Sequence, residues 1–276
     1  MNLVKKIQHA VLLHRLKQSK IPLRLWHKTI AQMPMAQGYL ADEKRQLRVL
    51  AGEVLRLKTI IPVQGMVLTD EIRIMIATQA AMMVFGLASV NNLTSLSWLR
   101  NWNYLIVYPT PFRNGRENLL SPDGSLFSQT AIESGETNYQ GGIIINWQED
   151  APHPLRAHAN QVLMHEMAHK LDMLDGQTNG HPPLHSNMSE SAWFKAFEQA
   201  YEQLQKQIRQ GMKPAINPYA ATNPAEFFAV STEYFFESPA QLQRVYPRVY
   251  QQLCLFYKQN PANKKQTSKS EQACLL

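Results

Sequence analysis

The 276-residue sequence predicts an α+β fold, a small mixed sheet set among helices, on three observations. Long stretches toward both ends carry apolar residues at helical spacing. Three short stretches in the middle are β-branched or aromatic and are bounded by Gly, Pro, Asn and Asp. The composition, 45% hydrophobic and 18% charged, is that of a folded chain. Such a length buries a sizeable core, and one main domain is expected over residues 41–260, between an N-terminal helical extension (1–40) and a disordered tail (261–276).

Taken in order, the opening "MNLVKKIQHAVLLHRLKQSK" mixes basic and apolar residues. Its apolar patch is short, is interrupted by His9 and His14, and lacks a small-residue cleavage site, so it predicts an amphipathic helix. A second helix is expected over 41–59, "ADEKRQLRVLAGEVLRLKT". The run "IRIMIATQAAMMVFGLASV" (72–90) approaches the length of a membrane span, but Arg73, Thr78 and Gln79 lie inside it and Thr69 or Asp70 offers an N-cap. It reads as a buried core helix over 72–89, and no membrane segment is expected. Strands follow at "NYLIVYPTPF" (103–112), "SLFSQTAI" (125–132) and "GGIIINW" (141–147). Helices resume over 155–174, 190–209, 224–237 and 239–259 before the polar tail.

Charge and cysteine content exclude several classes. The net charge of +7 is spread thinly, with one dense group at Lys5, Lys6, Arg15, Lys17, Lys20 and Arg24, which reads as a solvated basic face. There is no helix-turn-helix or basic stripe, so direct nucleic-acid binding is not expected. Cys254 and Cys274 form no CxxC and no metal spacing, which excludes a disulfide framework and fits a reducing cytoplasm.

The chemistry concentrates in "VLMHEMAHKLD" (162–172). At about 100° of rotation per residue, His165 and His169 stand nearly above one another, roughly 6 Å apart at Cβ. That suits two imidazoles bonding one zinc ion at about 2.0–2.1 Å. Glu166 points to the side of the pair, where it can reach a water on an open coordination position, and reads as the general base. Val162, Leu163, Met164, Met167, Ala168 and Leu171 flank the three, so two imidazoles and a carboxylate are buried together, which is costly unless they are paired or metal-bound. One zinc ion per chain is expected.

A catalytic zinc site takes a third protein ligand, and three residues compete. Asp175 lies six residues after His169, but position 172 holds Asp and no Gly reverses the helix there. Glu226 and Glu233 lie seven apart in "NPAEFFAVSTEYFFESP" and share a helix face. Glu226 also fits a capping box behind Asn223 and Pro224, whereas Glu233 sits in an apolar run; helical geometry does not separate them.

The stretches "HEMAHKLDMLDG" and "NPYAATNPAEFFAVSTEYFFESP", with "VYPTPF", "GGIIINW" and "VYPRVYQQLCLFYKQNP", resemble the Mlc titration factor A family of zinc peptidases over roughly residues 55–262. The resemblance implies a zincin-like catalytic fold similar to the lethal-factor metalloprotease, with the sheet beside a helical bundle that carries the metal. It implies His165, His169 and Glu226 as zinc ligands, Glu166 as the catalytic base, and Glu233 as a carboxylate that either supports a ligand or sits in the core. It also implies a catalytic role for Tyr219, seven residues before Glu226; the bland alternative is a tyrosine that only caps a loop. Aminopeptidase-like activity on small peptides follows from the family, as does binding to a transcription repressor of the Mlc type that controls sugar uptake.

The expected mechanism is zinc-assisted peptide hydrolysis, with the edge of "GGIIINW" taking an extended substrate by strand addition. The loop 175–187 is expected to border the cleft, with His181 and His185 as non-ligands. The competing reading is a binding protein that sequesters a repressor and keeps its zinc for structure or regulation. An open coordination position argues against a purely structural zinc.

Overall fold

The computed structural model describes residues 21–87, 93–109, 119–120, 126–127, 141–147 and 153–263. The expected helix within 1–20, most of the expected strand 125–132 and the tail beyond 263 lie outside the described residues. Helix α1 (Leu23–Ala31) and a short 3₁₀ turn (Pro34–Ala36) lead into α2 (Ala41–Leu57). Trp26, Ile30, Met33, Ala36 and Tyr39 belong to the main core, so residues 21–40 pack into the body of the molecule. In α2 the acidic Asp42 and Glu43 sit in the first turn, where the helix dipole favours them, and Leu47, Leu50, Ala51 and Val54 form the buried stripe.

That stripe packs on α3 (Asp70–Val84), the run that approaches membrane length. Thr69 Oγ1 accepts from the Ile72 N–H at 3.3 Å and starts the helix, which ends five residues short of the expected boundary. From Ile76 to Val84 every residue of α3 is buried, Thr78 and Gln79 included, which is the pattern of a helix surrounded by protein. Among the described residues no helix is long and apolar enough to cross a membrane.

Three strands, β1 (Thr59–Pro62), β2 (Tyr104–Tyr108) and β5 (Ile143–Asn146), form a parallel sheet in the order β1-β2-β5. A separate antiparallel pair joins β3 (Leu119–Leu120) to β4 (Leu126–Phe127), so the parallel and antiparallel pairings of the mixed architecture are divided between two sheets. The central strand β2 alternates as the pleat requires. Leu105 and Val107 enter the main core with Ile143 and Ile145, while Tyr104, Ile106 and Tyr108 form a second cluster on the other face with Ile61, Val63 and Ile144. A strand at β1 is not evident in the sequence; its pairing with β2 (Ile60 to Leu105, Ile61 to Ile106) creates it.

Beyond the sheet, α4 (His153–Asp172) packs on β5, α3 and α6 (Pro224–Glu237). Helices α5 (Glu190–Arg209), α7 (Pro239–Val245) and α8 (Pro247–Tyr257) close the core around α6. The seam is aromatic: Trp193 stacks on Phe197 at 4.3 Å and meets Phe228 and Phe256 at 5.9 and 5.8 Å. Truncating a buried ring of this kind typically costs about 3–5 kcal/mol, so this seam holds α6 against α5 and α8. Two lysines, Lys58 half-buried and Lys170 buried, tie irregular backbone to the frame. Lys58 Nζ donates to Leu99 O at 2.6 Å and to Trp102 O, and Lys170 Nζ donates to Gly141 O at 2.8 Å, anchoring the start of β5 to α4. Burial pulls the Lys170 amine down to about 8, against the pull of the Glu166 charge.

Candidate metal centre

Helix α4 presents His165 and His169 one turn apart, with ring centroids 4.7 Å apart and planes at 80°. Helix α6 approaches them with its first turn. Asn223 caps α6 through Oδ1, which accepts from the Glu226 N–H at 2.9 Å, and Pro224 occupies the first helical position, where a missing N–H costs nothing. Glu226 thus occupies the capping-box position, while its carboxylate goes to the imidazoles. Oε2 lies 2.9 Å from His165 Nε2 and 3.4 Å from His169 Nε2, and the two Nε2 atoms are 3.1 Å apart. Among the described residues these three form a group able to hold a metal ion. The spacing fits one: bonds of about 2.0–2.1 Å to the corners of a tetrahedron put the corners about 3.3–3.4 Å apart.

Glu233, the other candidate, reaches the same imidazole from its far side. His165 Nδ1 donates to Glu233 Oε1 at 2.6 Å, which orients the ring and turns Nε2 toward the centre. The two glutamates of α6 therefore bracket one ring, Glu226 at Nε2 and Glu233 at Nδ1. Asp175 takes no part; it is exposed and its Oδ1 accepts from the Gln177 N–H at 3.0 Å. His185 Nε2 donates to Phe256 O at 2.8 Å and His181 stacks on Phe194 at 4.4 Å, so neither belongs to the metal group.

Burial works against a charged His165, but its hydrogen bonds to Glu226 and Glu233 outweigh that and raise its pKa to about 10. Burial likewise opposes ionisation of Glu226, and the hydrogen bonds from His165 and His169 reverse the sign, holding its carboxyl down at about 2. Glu166 is half-buried, and its charge acts on His165, Tyr219 and Lys170. Tyr219 stands in a 3₁₀ turn (Pro218–Ala221) where Asn217 Oδ1 accepts from its N–H at 3.0 Å. The residue is 48% exposed, and its ring lies 6.0 Å from that of His165. Partial burial, then the Glu226 and Glu166 charges, push the phenol pKa above its ordinary value and keep the O–H protonated.

Sequence reasoning passes over two buried charges of α4, Lys170 and Asp172. The available signal is position, Lys170 four residues after Glu166 and Asp172 three after His169, each on a helix face shared with a residue of the site. Burial pushes the Asp172 carboxyl up to about 6, against a backbone hydrogen bond from Gly180.

Residues 5–258 match the model of the glucose-regulated metallo-peptidase M90 family, a span that begins well before the region where the sequence motifs lie. The Mlc titration factor A of Yersinia pestis (strain Pestoides F) is 34% identical over 244 residues, which cover 87% of this chain and 86% of that protein. Its namesake from Yersinia pseudotuberculosis serotype O:3 (strain YPIII) is similar to the same extent. With two histidines and a glutamate gathered at metal-binding distance and a family match over most of its length, the chain belongs to the M90 metallopeptidases.

Proposed function

We propose that the protein is a zinc-dependent, aminopeptidase-like enzyme of the cytoplasm, with His165, His169 and Glu226 as the ligands of one zinc ion. The observation that carries this reading is the set of donor separations, 2.9, 3.1 and 3.4 Å, among two imidazoles and one carboxylate. When bound, zinc supplies Lewis acidity that acidifies a water and polarises the scissile carbonyl. Glu166, beside the ligands but outside their group, takes the proton from that water and passes it to the leaving amine. Tyr219 donates its protonated phenol to the oxyanion that develops on the carbonyl. Glu233 keeps the His165 ring oriented through Nδ1. Strand β5 bonds β2 on one side and, among the described residues, no strand on the other; that edge, next to α4, takes an extended peptide by main-chain hydrogen bonds.

The test is hydrolysis of an aminoacyl chromogenic substrate by the purified chain. Chelation should abolish it, and stoichiometric zinc should restore it. Turnover that persists in the metal-free protein would overturn the reading. A second function is supported by the name of the relatives, Mlc titration factor A: we infer that this chain also binds a transcription repressor of the Mlc type. Peptide hydrolysis and repressor binding are compatible in one chain.

The electrostatics carry a pH prediction for metal uptake. His165 is raised from 6.5 to about 10, so in the metal-free protein it holds a proton at neutral pH that a metal ion must displace. Zinc affinity should therefore rise by about tenfold per pH unit between those two values, with about one proton released per ion. Titration calorimetry in buffers of differing ionisation enthalpy reads the proton directly. For the metal-free fold the sign is opposite. The raised pKa of His165 contributes stability that is complete below 6.5 and is lost as pH rises through about 10. The depressed pKa of Glu226 contributes stability that is complete above 4.5 and is lost as pH falls through about 2.

A further inference from the structure

We propose that Asp172 and Gly180 are positioning residues that set the distance between the two helices of the metal site; this rests on the metal reading above. The two imidazoles stand on α4 and the carboxylate on α6, and more than fifty residues separate them in the chain. Their donor atoms nonetheless fall within a few tenths of an ångström of a coordination tetrahedron. Helix packing alone scatters far more than that, so a local gauge is needed at the point where the end of α4 passes the start of α6.

Gly180 stands at that point. Its N–H donates to Oδ2 of Asp172, the last residue of α4, at 2.8 Å. Its carbonyl accepts from Trp193 Nε1 at 3.2 Å, and Trp193 is locked in the aromatic seam. Its α-carbon abuts the first residue of α6: a Cβ built on Gly180 would lie 2.4 Å from Pro224 O and 2.8 Å from Pro224 C, two residues before Glu226. The backbone there has φ +78°, the region that favours glycine. Both hydrogen-bonding groups and the one open face of this peptide are therefore committed, one to α4, one to α5 and one to α6. A side chain at 180 would have to push Pro224, and Glu226 with it, away from the histidines.

Asp172 acts on the other side of the gauge. Its side chain is completely buried, and while Oδ2 takes the Gly180 N–H, Oδ1 has no hydrogen-bond partner. His169, one turn earlier on the same helix, has Nδ1 buried and likewise without a partner, and it lies near enough for its charge to act on the Asp172 carboxyl. Once His169 Nε2 is committed to an ion, Nδ1 must carry the proton and becomes a donor in need of an acceptor. Asp172 Oδ1 is the acceptor this geometry offers, so one carboxylate orients a ligand and holds the spacer that places another.

The experiment compares zinc dissociation constants, and the visible spectrum of the cobalt-substituted protein, for Gly180→Ala, Asp172→Asn and Gly211→Ala. Gly211 also has positive φ, +69°, but a Cβ there meets nothing within 4 Å, so its variant carries the backbone strain without the displacement. Gly180→Ala and Asp172→Asn should each weaken zinc binding by about 10–100-fold and alter the cobalt spectrum, while Gly211→Ala leaves both as in the parent. Asp172→Asn keeps an oxygen for Gly180 and puts an amide donor where Oδ1 would accept from His169, so it reports even if Gly180→Ala does not fold. An affinity in Asp172→Asn within about twofold of the parent, or an equal loss in Gly211→Ala and Gly180→Ala, overturns the inference alone. A parent chain that takes up no metal overturns the metal reading and this inference together.

Discussion

Glu166→Gln should lower the rate of peptide hydrolysis by about 10²–10⁴-fold, or roughly 3–5 kcal/mol in the barrier, with no loss of zinc. The substitution keeps the shape of the side chain and removes its basicity. Metal content should survive because Glu166 stands outside the group of converging donors. The folded state should be nearly as stable, since the side chain is only half-buried and its charge contributes to neighbours instead of being locked in a pair. Metal analysis, thermal unfolding and turnover on one preparation separate these outcomes. A variant that lost its zinc in proportion to its activity would make Glu166 a ligand or a structural prop, and the base would have to be sought elsewhere.

The metal-bearing half of the site is legible in the sequence because it is local. His165, Glu166 and His169 lie within one helical turn and a half, and the helical period alone sets their relative directions. The third position is not local. Glu226 and Glu233 share a face of α6, and what distinguishes them is which side of the His165 ring each meets, a property of how two helices cross. The capping reading of Glu226 and its place at the site also prove compatible, since Asn223 engages the backbone N–H and leaves the carboxylate free to turn inward. Strand β1 escapes the sequence for the same reason of distance: "TIIP" follows a helix directly and ends in proline, and only its parallel partner 45 residues on makes it a strand. Lys170 and Asp172 look like ordinary polar residues at the end of a helix until loops bring Gly141 O and Gly180 N to them. Burial pushes the thiol of Cys254 up to about 11, against a hydrogen bond with Tyr250.

Zinc affinity in Glu226→Gln should fall by more than about 100-fold, beyond the range expected of a residue that only supports a ligand. A neutral amide replaces the one anionic donor of the group, and the charge of the ion is then met by two imidazoles alone. The helix should still form, because its cap is the hydrogen bond from the Glu226 N–H to Asn223, which the side chain does not make. Glu233→Gln tests the opposite case. Its amide oxygen can still accept from His165 Nδ1, so the ring stays oriented and only the charge behind it is lost, a change worth about 10–100-fold at most. Glu233→Leu removes the acceptor as well, leaving a buried N–H unpaired at a cost of about 1–3 kcal/mol in stability, and should weaken the metal further. The order of zinc affinity expected is parent, Glu233→Gln, Glu233→Leu, Glu226→Gln, and at neutral pH the last also loses, in the metal-free protein, the stability that the ionised carboxylate contributes beside His165. Should Glu233→Gln lose the ion while Glu226→Gln keeps it, then Glu233 is the ligand, the 2.9 Å approach of Glu226 to His165 is an ion pair of the metal-free protein, and the centre must rearrange when it loads.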